Sequence, residues 1–275
     1  MKRLLCAVLA GFMTLSLAAC GSSDTATETE DAEVSAEEGA DAEEADAEEG
    51  SETVYIIGTD TTFAPFEFQD ESGNQVGIDM DLLAAIAEDQ GFEYEVNVLG
   101  FDAAVQALES RQVDGVIAGM SITDARKESL DFSDPYFDSG VIMGVAADSD
   151  IAGYEDLAGQ KVAVKQGTEG SAFAESIAEE YGFEMVTFTD SSMMYEDVIA
   201  GNTVACFEDY PVLGYAINQG LALKTVTEKE QGSSYGFAVP KDENAELLEM
   251  FNAGLANIQA NGTYDEILAT YISAE

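Results

Sequence analysis

The chain has 275 residues, 46% of them hydrophobic, enough for one or two domains with a sizeable core. Acidic residues outnumber basic ones 55 to 10, a formal net charge of −45, which excludes a nucleic-acid surface or a polybasic membrane patch. There is no His, so the commonest general base, the serine-protease triad and the commonest zinc ligand are missing; three Cys, at 6, 20 and 206, make neither a disulfide framework nor a four-thiolate site, and no metal or other cofactor is expected.

Residues 1–20 read MKRLLCAVLAGFMTLSLAAC. Lys2 and Arg3 are followed by an apolar stretch from Leu4 to Leu17, too short with those flanks to span a bilayer, so this is a signal peptide. Leu17-Ala18-Ala19-Cys20-Gly21 resembles the lipobox of bacterial lipoproteins. That resemblance implies lipid on Cys20 and attachment to the outer face of the cytoplasmic membrane; an ordinary secretory signal cleaved nearby is the alternative. Residues 21–52 carry 14 acids, no base and, apart from Val34, no side chain able to seed a core. They read as a solvated, self-repelling, disordered tether.

From residue 53 the chain alternates strand and helix. Val54–Ile57 is a β-branched and aromatic run closed by Gly58. Asp79 is placed to cap a helix whose apolar face is Leu82, Leu83, Ile86 and Ala87 and which ends near Gly91. Strand Tyr94–Val98, helix Asp102–Ser110 and strand Val113–Ile117 complete a βαβαβ series, the pattern of a parallel sheet covered by helices. Val141–Val145 is a further strand. A second series follows, with strands Val162–Val164, Glu184–Phe188 and Thr203–Phe207 and helices Ser171–Tyr181, Tyr195–Ala200 and Val212–Gln219. Strand Tyr235–Val239 precedes two closing helices. Gly262 ends the first, and Thr263 with Glu266 form a capping box for the second. Two such series predict two α/β lobes, in which ligands bind beyond the carboxyl ends of strands.

Four strand ends carry polar motifs: GTDTTFAPFEF over 58–68, AGMSITDARKESLDFSDPYF over 118–137, VKQGTEGS over 164–171 and CFEDYPVLGY over 206–215. In order and spacing these, with NGTYDEI over 261–267, resemble the polar amino-acid-binding branch (family 3) of the bacterial solute-binding proteins of ABC transporters. The resemblance covers essentially all of 53–275. It implies an α/β fold of the two-lobed periplasmic-binding-protein-like kind (type II), each lobe a central mostly parallel sheet flanked by helices, joined by two crossover strands. The lobes are expected over 53–137 with 236–275, and over 138–235. Hinges are expected near 136–140 and 232–236.

Arg126, one of two guanidinium groups in the folded part, presents a planar fork of donors that suits a ligand carboxylate. By resemblance Ser121 adds a hydroxyl and Gly119 its backbone. Across the cleft Thr168 and Glu169 open a helix whose free N–H groups suit an anion. The Glu169 side chain departs from the family pattern and is expected to point outward, since two carboxylates repel. Asp209 matches the acid that receives the ligand ammonium, and Glu208 stands at a variable position. Phe63 and Phe101 match the aromatic walls of the ligand side chain. Asp60 and Lys165 offer one acceptor and one donor, the pair a carboxamide needs.

This set looks most like that of the glutamine-binding members. Lys165 argues against lysine, arginine or ornithine, because a second cation in a desolvated cleft is costly. Glutamate, cystine, another polar amino acid and, against that argument, a basic amino acid stay open. The expected function is capture of a polar L-amino acid and delivery to the permease subunits of an ABC importer, without catalysis. The expected protein is monomeric, binds no nucleic acid, and touches the membrane through its lipid. The rival classes are an enzyme of the same fold, cyclohexadienyl dehydratase-like, and the sensing domain of a receptor.

Overall fold

The computed structural model describes residues 53–272; the expected signal peptide, the lipid-bearing Cys20 and the acidic tether lie outside the described residues. The first lobe starts with β1 (Val54–Thr59), whose later residues are buried. A small meander follows, of β2 (Thr62–Phe63), β3 (Glu67–Gln69) and β4 (Gln75–Val76). Helix α1 (Ile78–Gln90) buries Leu82, Leu83 and Ile86, each such side chain contributing roughly 1.5–3 kcal/mol. It ends at Gly91 in the left-handed conformation, as its sequence predicts.

The start of α1 differs from expectation. Asp79 caps nothing: the N-cap is Gly77, and Asp79 is the second residue of the helix, in its first turn, with no exposed surface. Gly77 has φ +131°, and an added Cβ would sit 2.1 Å from the Phe66 carbonyl oxygen, so only glycine fits there. The helix therefore packs its first turn directly onto β3 and carries Asp79 inside.

Next come β5 (Glu93–Val98), α2 (Phe101–Glu109), β6 (Gly115–Val116) and β7 (Leu130–Phe132). Strand β1 lies parallel between β5 and β6. The long β8 (Phe137–Ala146) then leaves for the second sheet. That sheet is built from β9 (Lys161–Lys165), α3 (Glu169–Tyr181), β10 (Glu184–Phe188), α4 (Ser191–Ile199), β11 (Ala205–Asp209), α5 (Tyr210–Asn218) and β12 (Leu223–Thr225). Strands β10, β9 and β11 are parallel, and β8 continues the sheet antiparallel to β11 and β12.

The chain returns along β13 (Glu230–Tyr235), antiparallel to β8, with Tyr235 opposite Phe137. It joins the first sheet as β14 (Ala238–Pro240), antiparallel to β6 and β7. The continuous strand expected over Tyr235–Val239 is thus two strands. Gly236 N–H bonds the Met120 carbonyl and Phe237 N–H the Ser133 hydroxyl, and between them the backbone passes from one sheet to the other. Helices α6 (Ala245–Asn261) and α7 (Thr263–Tyr271) close the chain. The expected capping box is absent: Gly262 (φ +91°) is the N-cap of α7, and Thr263 N–H donates to the Asn261 side chain instead.

Each sheet is covered on both faces. In the first, Phe251, Leu255 and Ile258 of α6 join the α1 residues against Ile57 and Ile117 on one side, and α2 packs Ala104 and Leu108 on Val116 on the other. In the second, Phe173 of α3 meets Val164 and Phe207, while Met194, Val198 and Leu213 of α4 and α5 cover Ala163 and Cys206. β8 and β13 are the two crossovers between the lobes.

Candidate functional site

The expected residues fall at strand ends because the topology puts those ends at the junction of the sheets. Asp60 follows β1, and Gly119 and Ser121 follow β6; Lys165 closes β9 and Asp209 closes β11. Phe101 opens α2, Thr168 is the N-cap of α3 and Glu169 its first residue. Nine of them, Phe63, Phe101, Gly119, Ser121, Arg126, Lys165, Thr168, Glu169 and Asp209, line one cavity of about 10 Å³, room for about one water molecule. Asp60 lies beneath it, paired with the ammonium of Lys165.

Lys165 and Asp60 are buried, with 1% and 3% of their side chains exposed, and belong to different sheets. The Lys165 ammonium stands 5.0 Å from the Phe63 ring centroid and 3.4 Å from the Thr62 hydroxyl. Asp60 Oδ1 accepts from Thr61 N–H at 2.7 Å. A buried pair with such support is held firmly, whereas one partner alone would be a costly buried charge.

Arg126 also bridges the cleft. Its Nη1 donates to the Ser121 carbonyl at 2.6 Å and its Nη2 to the Gly167 carbonyl at 3.0 Å, with the guanidinium 5.3 Å from the Phe101 ring centroid. Glu169 corrects its expectation: its side chain lines the cavity, Oε1 standing 3.9 Å from Arg126 Nη2. The attraction of the guanidinium draws the carboxylate inward. Thr168 donates its hydroxyl proton to the Lys165 carbonyl at 2.8 Å and accepts from Ser171 N–H at 3.2 Å, so it caps α3 as well as lining the cavity.

Asp209 is 4% exposed and accepts from the Tyr235 hydroxyl at 2.6 Å and the Ser139 hydroxyl at 3.2 Å. Burial, and then the adjacent Glu208, push its carboxyl up to about 7, against the lowering by those hydroxyls and Arg126. Glu208 does not reach the cavity. Strand alternation turns it to the other face, where Ser191, Tyr195 and the Asp209 N–H hold it. Burial raises its carboxyl too.

Several residues around the cavity had no signal as site residues in the sequence. Tyr235 and Ser139, on the two crossovers, orient Asp209. Asp79 accepts from the N–H of cavity-lining Gly119 at 2.7 Å, beside a fully buried Glu67. The one clue to Glu67 is its aromatic flank, PFEF, which marks a segment headed for the interior. The arrangement as a whole offers a cation with fork geometry, a carboxylate held by hydroxyls, two aromatic rings and an internal ion pair. That is a recognition set for a small zwitterion.

Comparison with known proteins agrees. Residues 55–274 match the family of bacterial extracellular solute-binding proteins, family 3. The lysine/arginine/ornithine-binding periplasmic protein of Escherichia coli (strain K12) is 31% identical, over 80% of this chain and 87% of that protein. Substrate-binding domain 2 of Lactococcus lactis GlnP, solved in an open conformation, is 44% identical over 81% of this chain and 96% of its own, with a TM-score of 0.57. An ancestral arginine-binding protein, solved bound to glutamine and bound to arginine, is 38% identical over 80% of this chain and 98% of its own, with a TM-score of 0.74. In this structure Arg126 and Lys165 bond across the cleft. The chain belongs to family 3 of the bacterial extracellular solute-binding proteins and is an amino-acid-binding protein of the ABC-transporter type.

Proposed function

We propose that the protein captures a neutral polar L-amino acid, glutamine first, outside the cytoplasmic membrane and delivers it to the permease of an ABC importer. The observation that carries this reading is the buried Lys165–Asp60 pair. Asp60 is the carboxylate a cationic ligand side chain would seek, and Lys165 already neutralises it. A carboxamide meets the pair differently: its NH2 donates to Asp60 and its carbonyl accepts from Lys165. Arg126 and the start of α3 receive the α-carboxylate, Ser121 and the Gly119 backbone assist, and Asp209 receives the α-ammonium. Phe63 and Phe101 enclose the methylenes. The lobes, over 53–137 with 236–275 and over 138–235, part to admit the ligand and close on it, bending at the crossovers β8 and β13. Lipid on Cys20 and the acidic tether keep the monomer at the membrane surface.

A basic amino acid is the second reading. It is favoured by the basic amino acids for which relatives are named and by an ancestral protein of this kind that was solved with both glutamine and arginine. A thermal-shift screen of the twenty amino acids, followed by calorimetry, separates the two. Glutamine should give the largest stabilisation. A larger one from arginine or lysine would overturn the proposed specificity, and none from any amino acid would overturn the proposal as a whole.

A further inference from the structure

Glu67 and Asp79 have no exposed surface, and the binding set above does not use them. Asp79 N–H donates to the Phe66 carbonyl at 2.9 Å, which brings the first turn of α1 against the start of β3, and the neighbouring Asp79 carboxyl raises that of Glu67. Asp79 Oδ2 accepts from the Gly119 N–H at 2.7 Å and the Tyr136 hydroxyl at 2.9 Å. Among the described residues, Asp79 Oδ1 and both Glu67 oxygens have no hydrogen-bond partner. Two facing buried carboxyls cannot both stay ionised, and one proton between them supplies the missing donor. The pattern of partners says which carries it. Asp79 takes two donors on Oδ2, as an anion does, whereas Glu67 takes none, so Glu67 is the group to hold the proton and offer it to Oδ1.

Asp79's two donors lie at functional places. Gly119 lines the cavity at φ +52°, where an added Cβ would sit 2.5 Å from the Phe63 ring. Tyr136 stands at the entry to crossover β8, its N–H bonded to the Tyr235 carbonyl at 2.9 Å.

We propose that Glu67 and Asp79 are positioning residues for amino-acid binding: a protonated Glu67 keeps Asp79 ionised and oriented, and Asp79 fixes the Gly119 amide at the cleft wall and the Tyr136 hydroxyl at the hinge. This rests on the amino-acid-binding role of the cleft and not on the choice of glutamine. The charged and titratable groups facing Glu67 are Asp79 from α1, Asp60 after β1, Lys165 from β9 and Tyr136 before β8. Burial, then Asp79 and Asp60, raise the Glu67 carboxyl well above the usual range, and Lys165 opposes them. Burial brings Asp79 to about 6, against the lowering by Gly119, Tyr136 and Glu67. A carboxyl raised in the fold stabilises it at lower pH, and that contribution is lost as pH rises through the folded-state value.

The test compares Glu67→Gln, which keeps a donor that never titrates, with Glu67→Met, which keeps the bulk and has no donor. Carboxyl carbon NMR of the wild type at about pH 7 should show a protonated Glu resonance that disappears in both variants. Calorimetry uses L-glutamine and L-arginine as probes. For the tighter probe, Glu67→Gln should stay within about threefold of the wild type, and Glu67→Met should lose about tenfold or more, because Asp79 Oδ1 then has no donor. The Gly119 amide proton of the ligand-free protein should move in Glu67→Met and hold in Glu67→Gln. Equal affinities in the two variants, or an ionised Glu67 at neutral pH, would overturn the proposal. If neither probe binds the wild type, the ligand reading has failed by itself. The Glu67 resonance and the Gly119 amide then decide: movement in Glu67→Met alone supports the positioning role, and no movement refutes it.

Discussion

Replacing Lys165 by Met probes the specificity argument most directly. The substitution keeps most of the stem and a favourable contact with the Phe63 ring, now sulfur to aromatic, while removing the ammonium. What remains is Asp60, 3% exposed at its side chain, with the Thr61 N–H as its surviving donor. Removing one partner of a buried ion pair costs about 3–5 kcal/mol. A ligand that brings its own cation recovers part of that; one that brings a carboxamide recovers less and loses the donor for its carbonyl. One mispaired polar group is worth on the order of 1–3 kcal/mol, so the ratio of arginine to glutamine affinity should rise about five- to 150-fold. Calorimetry with both amino acids on both proteins measures the ratio. Because it is a ratio, a general loss of lobe closure, to which Lys165 also contributes by joining the two sheets, cancels. An unchanged ratio would refute the assignment of Lys165 and Asp60 to the side-chain end of the site, and with it the main support for glutamine.

Arg126→Ala should leave the circular-dichroism spectrum intact and weaken amino-acid binding by about 2–5 kcal/mol in calorimetry, since it removes a charge-assisted contact in a closed cleft. Retention within tenfold would mean that the guanidinium serves only its present bonds to the Ser121 and Gly167 carbonyls. Asp209 should couple binding to protons. With its carboxyl raised to about 7, an arriving ammonium favours the ionised form, so binding releases a proton and affinity falls as pH drops below about 7, by up to about tenfold per pH unit. The ligand-free fold runs the other way, because this raised carboxyl stabilises it on the acid side and that contribution fades as pH rises through about 7. Calorimetry in buffers of different ionisation enthalpy should count the released proton, and Asp209→Asn should remove it. Cys20→Ser should yield unlipidated protein in the medium or an uncleaved precursor; lipid retained on the variant, seen by mass spectrometry, would place the modification elsewhere.

The alternation of strand and helix, the helix faces and the stop at Gly91 were legible because burial imprints periods of 2 and 3.6 on neighbouring residues. The residues lining the cavity were legible by motif, since strand ends in such folds lie together whatever the details of packing. Asp79 was not. An acid just before an apolar run reads as a cap, and an acid carried into the interior behind a glycine two residues earlier leaves the same local pattern. Tyr235 to Val239 likewise reads as one strand, because nothing local reveals that Gly236 stands between two sheets. The rest follows from relations across long stretches of chain. The pairing of Asp60 with Lys165 spans 105 residues, the inward turn of Glu169 depends on a guanidinium 43 positions earlier, and the raised carboxyl of Asp209 comes from burial beside Glu208. Periodicity reports which face of an element is dry. It does not report which charges will share the dry space, and here that sharing sets the chemistry of the cleft.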